Sequence, residues 1–519
     1  MRVAVEMSRD YEVCGNQSNA GRLCGTENGR LMTKLRTMAA VVLLSAAVCG
    51  AQSVAPVKPV KMDAAAEARL GKDIPALMEK AGVPGLSVAV IRKGKTVWTA
   101  AYGVRDEKTK AAVDGDTMFN VGSLSKCVFA YGVLKLVDAG KLKLDEPIAP
   151  YLAKEFLVND PRFEKITPRI VLSHRTGFPN WPGDGKPLEI HFTPGEKFSY
   201  SGAGMVLLQK VVEKITGKPL NDYMQKAVFT PLGMKHSSYV WNASLESGIA
   251  YGHDVGGAPV DLFKANQANA AASLMTTAED YATFLDAVLD GKGLKAETLR
   301  EMENPVIAVE GGCTDCINGR GTGTLLTTVF WGLGVGIEKT AQGESLWHWG
   351  DNGVYKAFFV VRPATKAGVV YMTNSENGLA IGRQILAETL GGEQPAFDWL
   401  NYDNYDSPGL RFTRMALSDG AAAALDKFSA ELASGKISEG TVNTTGYQLM
   451  GRKKIEDAIL VFRKNVEVHP ESWNVYDSLG EAYMNHGEKD LAVKNYEKSV
   501  ELNSKNENGV AMLKKLAEK

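Results

Sequence analysis

A serine and a lysine three residues apart are the first pair in this sequence whose spacing could do chemistry. Ser123 and Lys126 form the chain's one Ser-x-x-Lys string, and on a helix the two side chains would lie on the same side. Burial and the positive end of the helix dipole both disfavour an ammonium there, so Lys126 can become the neutral amine that takes the Ser123 proton. The serine would then be a nucleophile. Roughly two such strings are expected by chance in a chain this long, so the pair alone decides little.

Two further side chains could move protons. Tyr200 stands between two serines on a predicted turn, and His348 precedes Trp349 and Gly350 on a predicted strand. Taken singly, Ser123 is equally well explained as a helix cap, Tyr200 as a core residue and His348 as a hydrogen-bonded strand residue. Their significance depends on the elements that position them and on their order in the chain.

The helix that would hold Lys126 is indicated by apolar residues at helical spacing, from Leu124 through Cys127 and Val128 to Leu134. It should end near Asp138, with the glycine at 140 as its C-terminal cap. A hairpin with its turn at residues 93–94 precedes it. The two strands of this hairpin are predicted at 86–91 and 96–102, and further strands are predicted at 345–350, 356–362 and 368–373. The other predicted helices are 64–81, 205–215, 277–289 (with a capping box at 276–279) and 378–390. We expect one antiparallel sheet built from both ends of this region, flanked by helices and with a largely helical insert.

Together, Ser123 with Lys126, Tyr200 and His348 resemble the three motifs of the class C β-lactamase, penicillin-binding protein and serine esterase superfamily. Their order and rough spacing match, and so do three flanking segments at 172–177, 276–279 and 372–375. The resemblance covers about residues 62–395. It implies an α+β fold, with a β-lactamase/transpeptidase-like antiparallel sheet flanked by helices plus a helical subdomain.

The resemblance also implies roles for individual residues. Ser123 would attack a carbonyl and form an acyl-enzyme, and Lys126 would lower the cost of removing its proton. Tyr200 would be a general base or proton shuttle, and Lys126 could hold it as phenolate. His348 replaces the lysine of the commoner third motif, as in many esterases and peptidases of the family. The backbone N–H groups of Ser123 and Asp351 would form the oxyanion hole. No metal and no cofactor are required.

One position departs from the family pattern. The second motif is usually Tyr-x-Asn, but here Gly202 stands in place of the asparagine whose amide binds a β-lactam or peptide and supports the lysine. This weakens a β-lactamase or peptidase assignment more than ester hydrolysis, because an ester is a more reactive acyl donor. Gly202 and Gly350 would line the substrate-binding site. The expected substrate is a small-molecule or peptide ester or amide, leaving esterase, D-amino peptidase and β-lactamase-like activity open.

Several nearby residues have two explanations. His174 lies in a predicted loop, and we interpret it as structural. Trp181, Trp331, Trp347 and Trp349 could wall the substrate cleft, but core packing explains them equally well.

Three cysteines follow the predicted signal peptide: Cys127, Cys313 and Cys316. The last two lie three residues apart with no second Cys/His pair nearby, so a zinc site is disfavoured. A local disulfide in a glycine-rich loop is the preferred interpretation in an oxidising compartment, and a redox role is less favoured.

The N-terminal region has the layout of an export signal. A basic segment starting at Met32 is followed by the apolar run 38–48 and by small residues, so residues 32–51 are predicted to be a signal peptide cleaved after Ala51. A lipoprotein site at Cys49 is the alternative. Residues 1–31 are then best explained by a misassigned start, or otherwise by an extra cytoplasmic tail. The mature chain would be periplasmic or secreted, with no transmembrane helix.

Length and composition complete the picture. The chain has 519 residues and a net charge of −1, so it has room for more than one domain and no basic surplus for binding nucleic acid. A 34-residue period after residue 440 is typical of tetratricopeptide repeats (TPRs). We therefore predict a linker with a helix at 396–440 and an all-α repeat segment at 441–519. The repeats would bind a protein partner or brace the catalytic domain. The alternative function is a catalytically weak or inactive scaffold serving that interaction module.

Overall fold

A single large antiparallel sheet organises the N-terminal two thirds of the chain. The computed structural model describes residues 64–183, 186–319 and 321–518. Its strands are β1 Gly85–Arg92, β2 Lys95–Asp106, β3 Ala111–Ala112, β4 Phe119–Asn120, β5 Met275–Thr276, β6 Ile307–Glu310, β7 Leu325–Trp331, β8 Gly336–Thr340, β9 Gly343–Asp351, β10 Lys356–Arg362 and β11 Ala367–Thr373. Nine of them form the sheet in the order β3-β2-β1-β11-β10-β9-β8-β7-β6, and β4 pairs with β5 separately.

The sheet is built from both ends of the region, as the sequence predicted. β1 pairs with β11 so that Leu86 lies opposite Thr373, which joins the early hairpin to the late strands. The hairpin turns at Lys93 and Gly94, whose φ angles are 54° and 70°. Two consecutive positive φ angles are the requirement of a type I′ turn, which suits the twist of the flanking strands.

Helices cover both faces of the sheet. They are α1 Ala64–Ala81, α2 Ser125–Asp138, α3 Pro168–Leu172, α4 Gly202–Thr216, α5 Leu220–Met224, α6 Thr230–Leu232, α7 Ala278–Leu289, α8 Ala296–Glu303, α9 Gly382–Thr389 and α10 Pro395–Leu400. Every residue of β1 is buried, because Ala89 and Ile91 pack in the core with α2 and α7, while Val88 and Val90 pack in the core with α1 and α9. A central strand covered on both faces therefore reads as a continuous apolar run.

Three helix starts differ from the predictions. The capping box at 276–279 is wrong by one residue, because Thr277 is the cap and accepts a hydrogen bond from the Asp280 N–H. α4 begins at Gly202 rather than near 205, since the Ser201 side chain caps it. The closing helix at 378–390 begins as a 3₁₀ helix, Glu376–Ile381, and becomes α-helical only in α9.

Eight helices form the C-terminal part of the chain around a third core. In two successive helix pairs, an aromatic ring of the second helix packs against a glycine of the first. A Cβ on Gly446 would lie 2.5 Å from the Phe462 ring, and a Cβ on Gly480 would lie 3.2 Å from the Tyr496 ring. The two contacts are 34 residues apart, the period found in the sequence. The helices are α11 Pro408–Ser418, α12 Ala421–Lys427, α13 Ser429–Ala433, α14 Glu439–Gly451, α15 Ile455–Val468, α16 Trp473–His486, α17 Lys489–Leu502 and α18 Glu507–Ala517.

Across the described ranges no helix is both long and apolar enough to cross a membrane. The predicted signal peptide at 32–51 and the extension at 1–31 lie outside the described residues.

Candidate active site

Ser123 and Lys126 meet at the start of α2. Ser123 is the middle residue of a short 3₁₀ turn, Gly122–Leu124, that runs directly into the helix. The Lys126 Nζ lies 2.8 Å from the Ser123 Oγ and 2.8 Å from the Ala271 carbonyl oxygen. Lys126 is almost completely buried, and this burial lowers its pKa to about 7. The lysine is thus close enough to accept the serine proton and is substantially neutral near pH 7.

Tyr200 lies beside Ser123 and Lys126. Its ring is buried, and the Lys126 Nζ lies 4.7 Å from the ring centre. Burial raises the pKa of Tyr200 well above its ordinary value, and the nearby Ser123 hydroxyl opposes this rise only in part. The Tyr200 hydroxyl faces Ser123 without an aligned hydrogen bond to any described residue. Burial therefore favours a phenol here over the phenolate that the family resemblance allows.

His174 contacts the Tyr200 ring and the backbone that follows this tyrosine. The Ser201 N–H donates to the His174 Nδ1 at 3.0 Å, and the imidazole lies against the Tyr200 ring with centroids 4.3 Å apart. Since Nδ1 accepts, the proton of the neutral ring is on Nε2. Burial and the charge of Lys126 lower the pKa of His174 well below its ordinary value. The prediction of a structural role agrees with these contacts, which fix the tyrosine's backbone and its ring.

His348 lies on β9 with its ring buried against Trp331 and Trp349. Its Nδ1 is 2.6 Å from the Trp349 carbonyl oxygen, and because a carbonyl only accepts, Nδ1 carries the proton. Burial, followed by the charge of Lys126, lowers the pKa of His348 to about 3. The imidazole is therefore neutral at physiological pH, and its unprotonated Nε2 is buried without a hydrogen-bond partner among the described residues.

Glycines bring the predicted oxyanion-hole groups together. A Cβ on Gly350 would lie 2.1 Å from the Val121 carbonyl oxygen, and one on Gly122 would lie 3.1 Å from the Asp351 nitrogen. Only glycine permits this approach of β9 to the turn that holds Ser123. The backbone nitrogens of Ser123 and Asp351 remain the predicted donors to an oxyanion.

Three partners hold the Asp351 side chain: the Gly353 N–H donates to its Oδ1 at 3.1 Å, and two side chains from other elements also contact it. Its carboxylate pairs with Lys356 on β10 and accepts a hydrogen bond of 2.6 Å from the Tyr402 hydroxyl. Tyr402 follows α10, in the segment predicted as a linker, so this segment contributes to the wall of the site. Trp399 on α10 does the same, packing against Trp331 and Trp349.

Gly202 lies where the family pattern has an asparagine, and an indole fills the space beside it. A Cβ on Gly202 would lie 2.6 Å from the Trp181 Cζ2. Trp181 is 45% exposed, whereas Trp331, Trp347 and Trp349 are buried in the aromatic cluster. Core packing therefore accounts for those three tryptophans.

A disulfide joins Cys313 and Cys316, the pairing preferred from the sequence, and Cys127 is a free, buried thiol. Glu310 and these two sulfurs form the single group in the described ranges with metal-ligand spacing. With both sulfurs in a disulfide the group offers no thiolate, so it does not fit a zinc ion. The disulfide loop instead serves the site, because the Thr314 carbonyl accepts the Tyr200 N–H at 2.9 Å.

The structure thus brings the partly exposed Ser123 together with the buried Lys126, Tyr200 and His348, and it places Asp351 at the edge of this cluster. Such a cluster can activate a serine, move its proton and stabilise an oxyanion. A protein-family model described as Beta-lactamase matches residues 70–388, more than half of the chain. The chain belongs to the beta-lactamase family.

Two relatives and one solved structure are similar to this chain. It is similar to penicillin-binding protein 4 of Amycolatopsis lactamdurans, at 28% identity over 352 residues, which are 62% of this chain and 89% of the relative. It is also similar to protein flp of Staphylococcus aureus strain MRSA252, at 24% identity over 201 residues, 35% of this chain and 40% of that protein. The octameric penicillin-binding protein homologue from Pyrococcus abyssi has the same fold, with a TM-score of 0.54 and 23% identity over 68% of this chain and 81% of that one.

The sequence did not reveal every residue of the site. Ala271 and Thr314 act through backbone carbonyls, which carry no side-chain signature. In the sequence, Tyr402 is one of several tyrosines in a polar segment, and nothing there indicates a role for it. Trp181 is one of four tryptophans for which the sequence did not distinguish cleft lining from core packing. Beta-lactamase family motifs point to the reacting groups and not to the residues that surround them.

Proposed function

We propose that this beta-lactamase family protein is a serine hydrolase that forms an acyl-enzyme at Ser123. The observation that carries the proposal is the pairing of Lys126 with Ser123. The Nζ lies 2.8 Å from the Oγ, and burial lowers the lysine pKa to about 7. A lysine held only structurally would more commonly be charged and paired with a carboxylate. The Lys126 Nζ instead bonds a hydroxyl and a backbone carbonyl.

Acylation follows from these positions. Lys126 in its neutral form takes the Ser123 proton as the Oγ attacks the substrate carbonyl, and the backbone nitrogens of Ser123 and Asp351 stabilise the negative charge on the carbonyl oxygen. Tyr200, present as a phenol, passes a proton to the leaving group and recovers one through Lys126. His348 stays neutral, so its Nε2 adds no charge beside Lys126 and can accept a hydrogen bond.

The same groups serve hydrolysis of the acyl-enzyme. A water molecule attacks the Ser123 ester, Lys126 with Tyr200 removes its proton, and the serine leaves as a hydroxyl. The atoms balance: the carboxylic acid and the alcohol or amine are the two products. Gly202 provides no amide for an acylamide side chain, so we expect esters to be better substrates than β-lactams or peptides.

Two further proposals concern the rest of the chain. The signal-peptide pattern at 32–51 supports export to the periplasm or outside the cell, and the Cys313–Cys316 disulfide fits an oxidising compartment. The paired helices α14–α15 and α16–α17, capped by α18, support two tetratricopeptide repeats, with contacts that recur after 34 residues.

Covalent probes test the enzyme proposal. The full-length mature protein is incubated with a fluorophosphonate and with a fluorescent penicillin, and turnover of a p-nitrophenyl ester is compared with that of a chromogenic cephalosporin. We expect Ser123-dependent labelling by the fluorophosphonate and faster turnover of the ester. If neither probe labels the protein through Ser123, the inactive-scaffold alternative replaces the enzyme. Clearly faster cephalosporin turnover would overturn the ester preference.

A further inference from the structure

One aromatic side chain beside the site is not used in packing the core. Trp181 keeps 45% of its surface exposed, although its six-membered ring lies directly over Gly202. A Cβ at position 202 would be 2.6 Å from Cζ2 and 2.7 Å from Cη2. Since real Cβ contacts are never this short, the indole occupies space that any other residue at 202 would fill.

The loop that carries Trp181 is pinned to the start of α4. The Ser201 hydroxyl donates to the Pro179 carbonyl at 2.9 Å, and the Ala203 N–H donates to the Asn180 carbonyl at 2.9 Å. The Asn180 Oδ1 accepts the Gly202 N–H at 2.9 Å. Two of these hydrogen bonds hold the backbone carbonyls of residues 179 and 180, and the third holds the Asn180 side chain. The segment that carries the half-exposed indole is therefore preorganised.

A fourth contact ties this loop to the disulfide loop. The Asn180 N–H donates to the Asp315 Oδ2 at 3.2 Å, and the Asp315 Oδ1 accepts from the Ser199 hydroxyl at 3.2 Å. Asp315 lies between Cys313 and Cys316, so the disulfide loop braces both Trp181's loop and the residue before Tyr200. The exposed indole is thus part of the same framework that positions the tyrosine.

The location of Gly202 sets what Trp181 can touch. Gly202 is two residues after Tyr200, so their Cα atoms are separated by at most about 7 Å. The Tyr200 hydroxyl faces Ser123. An acyl group bound to Ser123 and extending past Tyr200 meets an indole face where the family pattern would present an amide. An indole face binds apolar and aromatic groups and offers no carbonyl oxygen to an amide N–H.

We infer that Trp181 is a specificity-determining residue that binds the acyl side of the substrate and selects esters of aromatic or bulky apolar acids. The inference rests on the proposed hydrolysis at Ser123 and names its substrate class. Gly202 makes this arrangement possible, because any residue with a Cβ would occupy the space that the indole fills.

Selectivity between two esters of one alcohol tests the inference. For p-nitrophenyl phenylacetate and p-nitrophenyl acetate, kcat/KM is measured with the full-length mature protein. We expect Trp181→Ala to lower the phenylacetate-to-acetate ratio about tenfold, the effect of losing one good apolar contact. Trp181→Phe, which keeps an aromatic face, should restore most of the ratio. Gly202→Ala retains the tryptophan at position 181 but should also lower the ratio, because the new Cβ would displace the indole from its present position.

Controls separate this inference from the proposed function. Trp473→Ala removes another exposed tryptophan, at the start of α16, and should leave the ratio unchanged. An unchanged ratio in Trp181→Ala, or an equal loss for both esters, would overturn the assignment of Trp181 while leaving hydrolysis at Ser123 standing. If the wild type hydrolyses neither ester and Ser123→Ala behaves identically, the proposed function fails and the inference fails with it.

Discussion

Among single residues, Lys126 carries the proposed chemistry. Its amine is buried between a serine hydroxyl and a backbone carbonyl, without a carboxylate partner in the described ranges, and burial lowers its pKa to about 7. Tyr200 responds in the opposite sense, because burial raises the pKa of a phenol. Both shifts favour the uncharged form, and this leaves a neutral base next to a neutral proton donor.

The pH dependence of ester hydrolysis tests this arrangement. Lys126 acts as a base only after losing its proton, so kcat/KM should rise with pH and level off above an apparent pKa of about 7. We expect this limb in a pH-stat assay with a p-nitrophenyl ester. His348, whose pKa is about 3, should contribute no limb above pH 5.

Tyr200→Phe provides the control for the pH profile. It should lower kcat/KM by about 100-fold or more, as expected for loss of a proton-transfer group, and leave the midpoint of the limb near pH 7. A flat profile between pH 5.5 and 8.5 in the wild type would contradict the role given to Lys126.

The proximity of the proposed reacting residues could be anticipated from the sequence, because side chains at a short, fixed spacing and in a family-like order suggested it. Ser123 and Lys126 are one helical turn apart, and Tyr200 and His348 follow in the expected order. The Lys126 contact with Ala271 was not predictable, since it joins residues 145 positions apart through a backbone carbonyl. Trp181 was noted but could not be assigned, because the sequence does not show what covers Gly202.

Among the secondary-structure elements, β9 approaches the turn before α2 closely, and this approach would form the proposed oxyanion hole. Gly350→Ala tests this approach, because its Cβ would lie 2.1 Å from the Val121 carbonyl oxygen and would push the two elements apart. We expect kcat to fall about 100-fold or more, the loss typical of removing an oxyanion-hole donor.

Gly115→Ala is the matched control for Gly350→Ala, since a Cβ at this exposed loop position meets nothing within 4 Å. Its kcat should equal that of the wild type. A Gly350→Ala enzyme with unchanged kcat would show that β9 does not form the oxyanion hole.

The disulfide loop between Cys313 and Cys316 holds the backbone around Tyr200. Thr314 accepts the Tyr200 N–H, and Asp315 bonds Asn180 and Ser199. The double variant Cys313→Ser, Cys316→Ser should lose about 2 kcal/mol of unfolding free energy, as expected for a short closed loop. It should also lower kcat, because Tyr200 loses its brace.

A reducing agent distinguishes the effect of losing the disulfide bond from other effects of the two Cys→Ser substitutions. Dithiothreitol should lower wild-type ester turnover to the level of the variant and leave the variant itself unchanged. Wild-type turnover that is insensitive to full reduction of the Cys313–Cys316 bond would contradict the bracing role.

In the whole molecule, the C-terminal helices contact the beta-lactamase family region at defined points. Arg452, after α14, pairs with Asp254, and Gln448 approaches Glu376. Val255 packs in the same apolar core as α11–α18. Of the two roles considered for the predicted repeats, these contacts favour bracing of the catalytic domain.

The packing of the first repeat can be disturbed without touching the catalytic cluster. A Cβ from Gly446→Ala would lie 2.5 Å from the Phe462 ring, so we expect a loss of about 1–3 kcal/mol in unfolding free energy. Gly451→Ala, at the end of the same helix, meets nothing within 4 Å and should be neutral. Equal unfolding midpoints in denaturant for the two variants would contradict the helix pairing.

Trapping of the acyl-enzyme would test directly whether Ser123 is the nucleophile, because the mass of the protein rises when the acyl group is attached. Rapid quenching of the full-length mature protein with p-nitrophenyl phenylacetate, followed by intact mass spectrometry and peptide mapping, should show one added acyl group on the peptide containing Ser123. Ser123→Ala should show none. An acyl group on another residue, or ester turnover undiminished in Ser123→Ala, would contradict the central claim that Ser123 is the nucleophile.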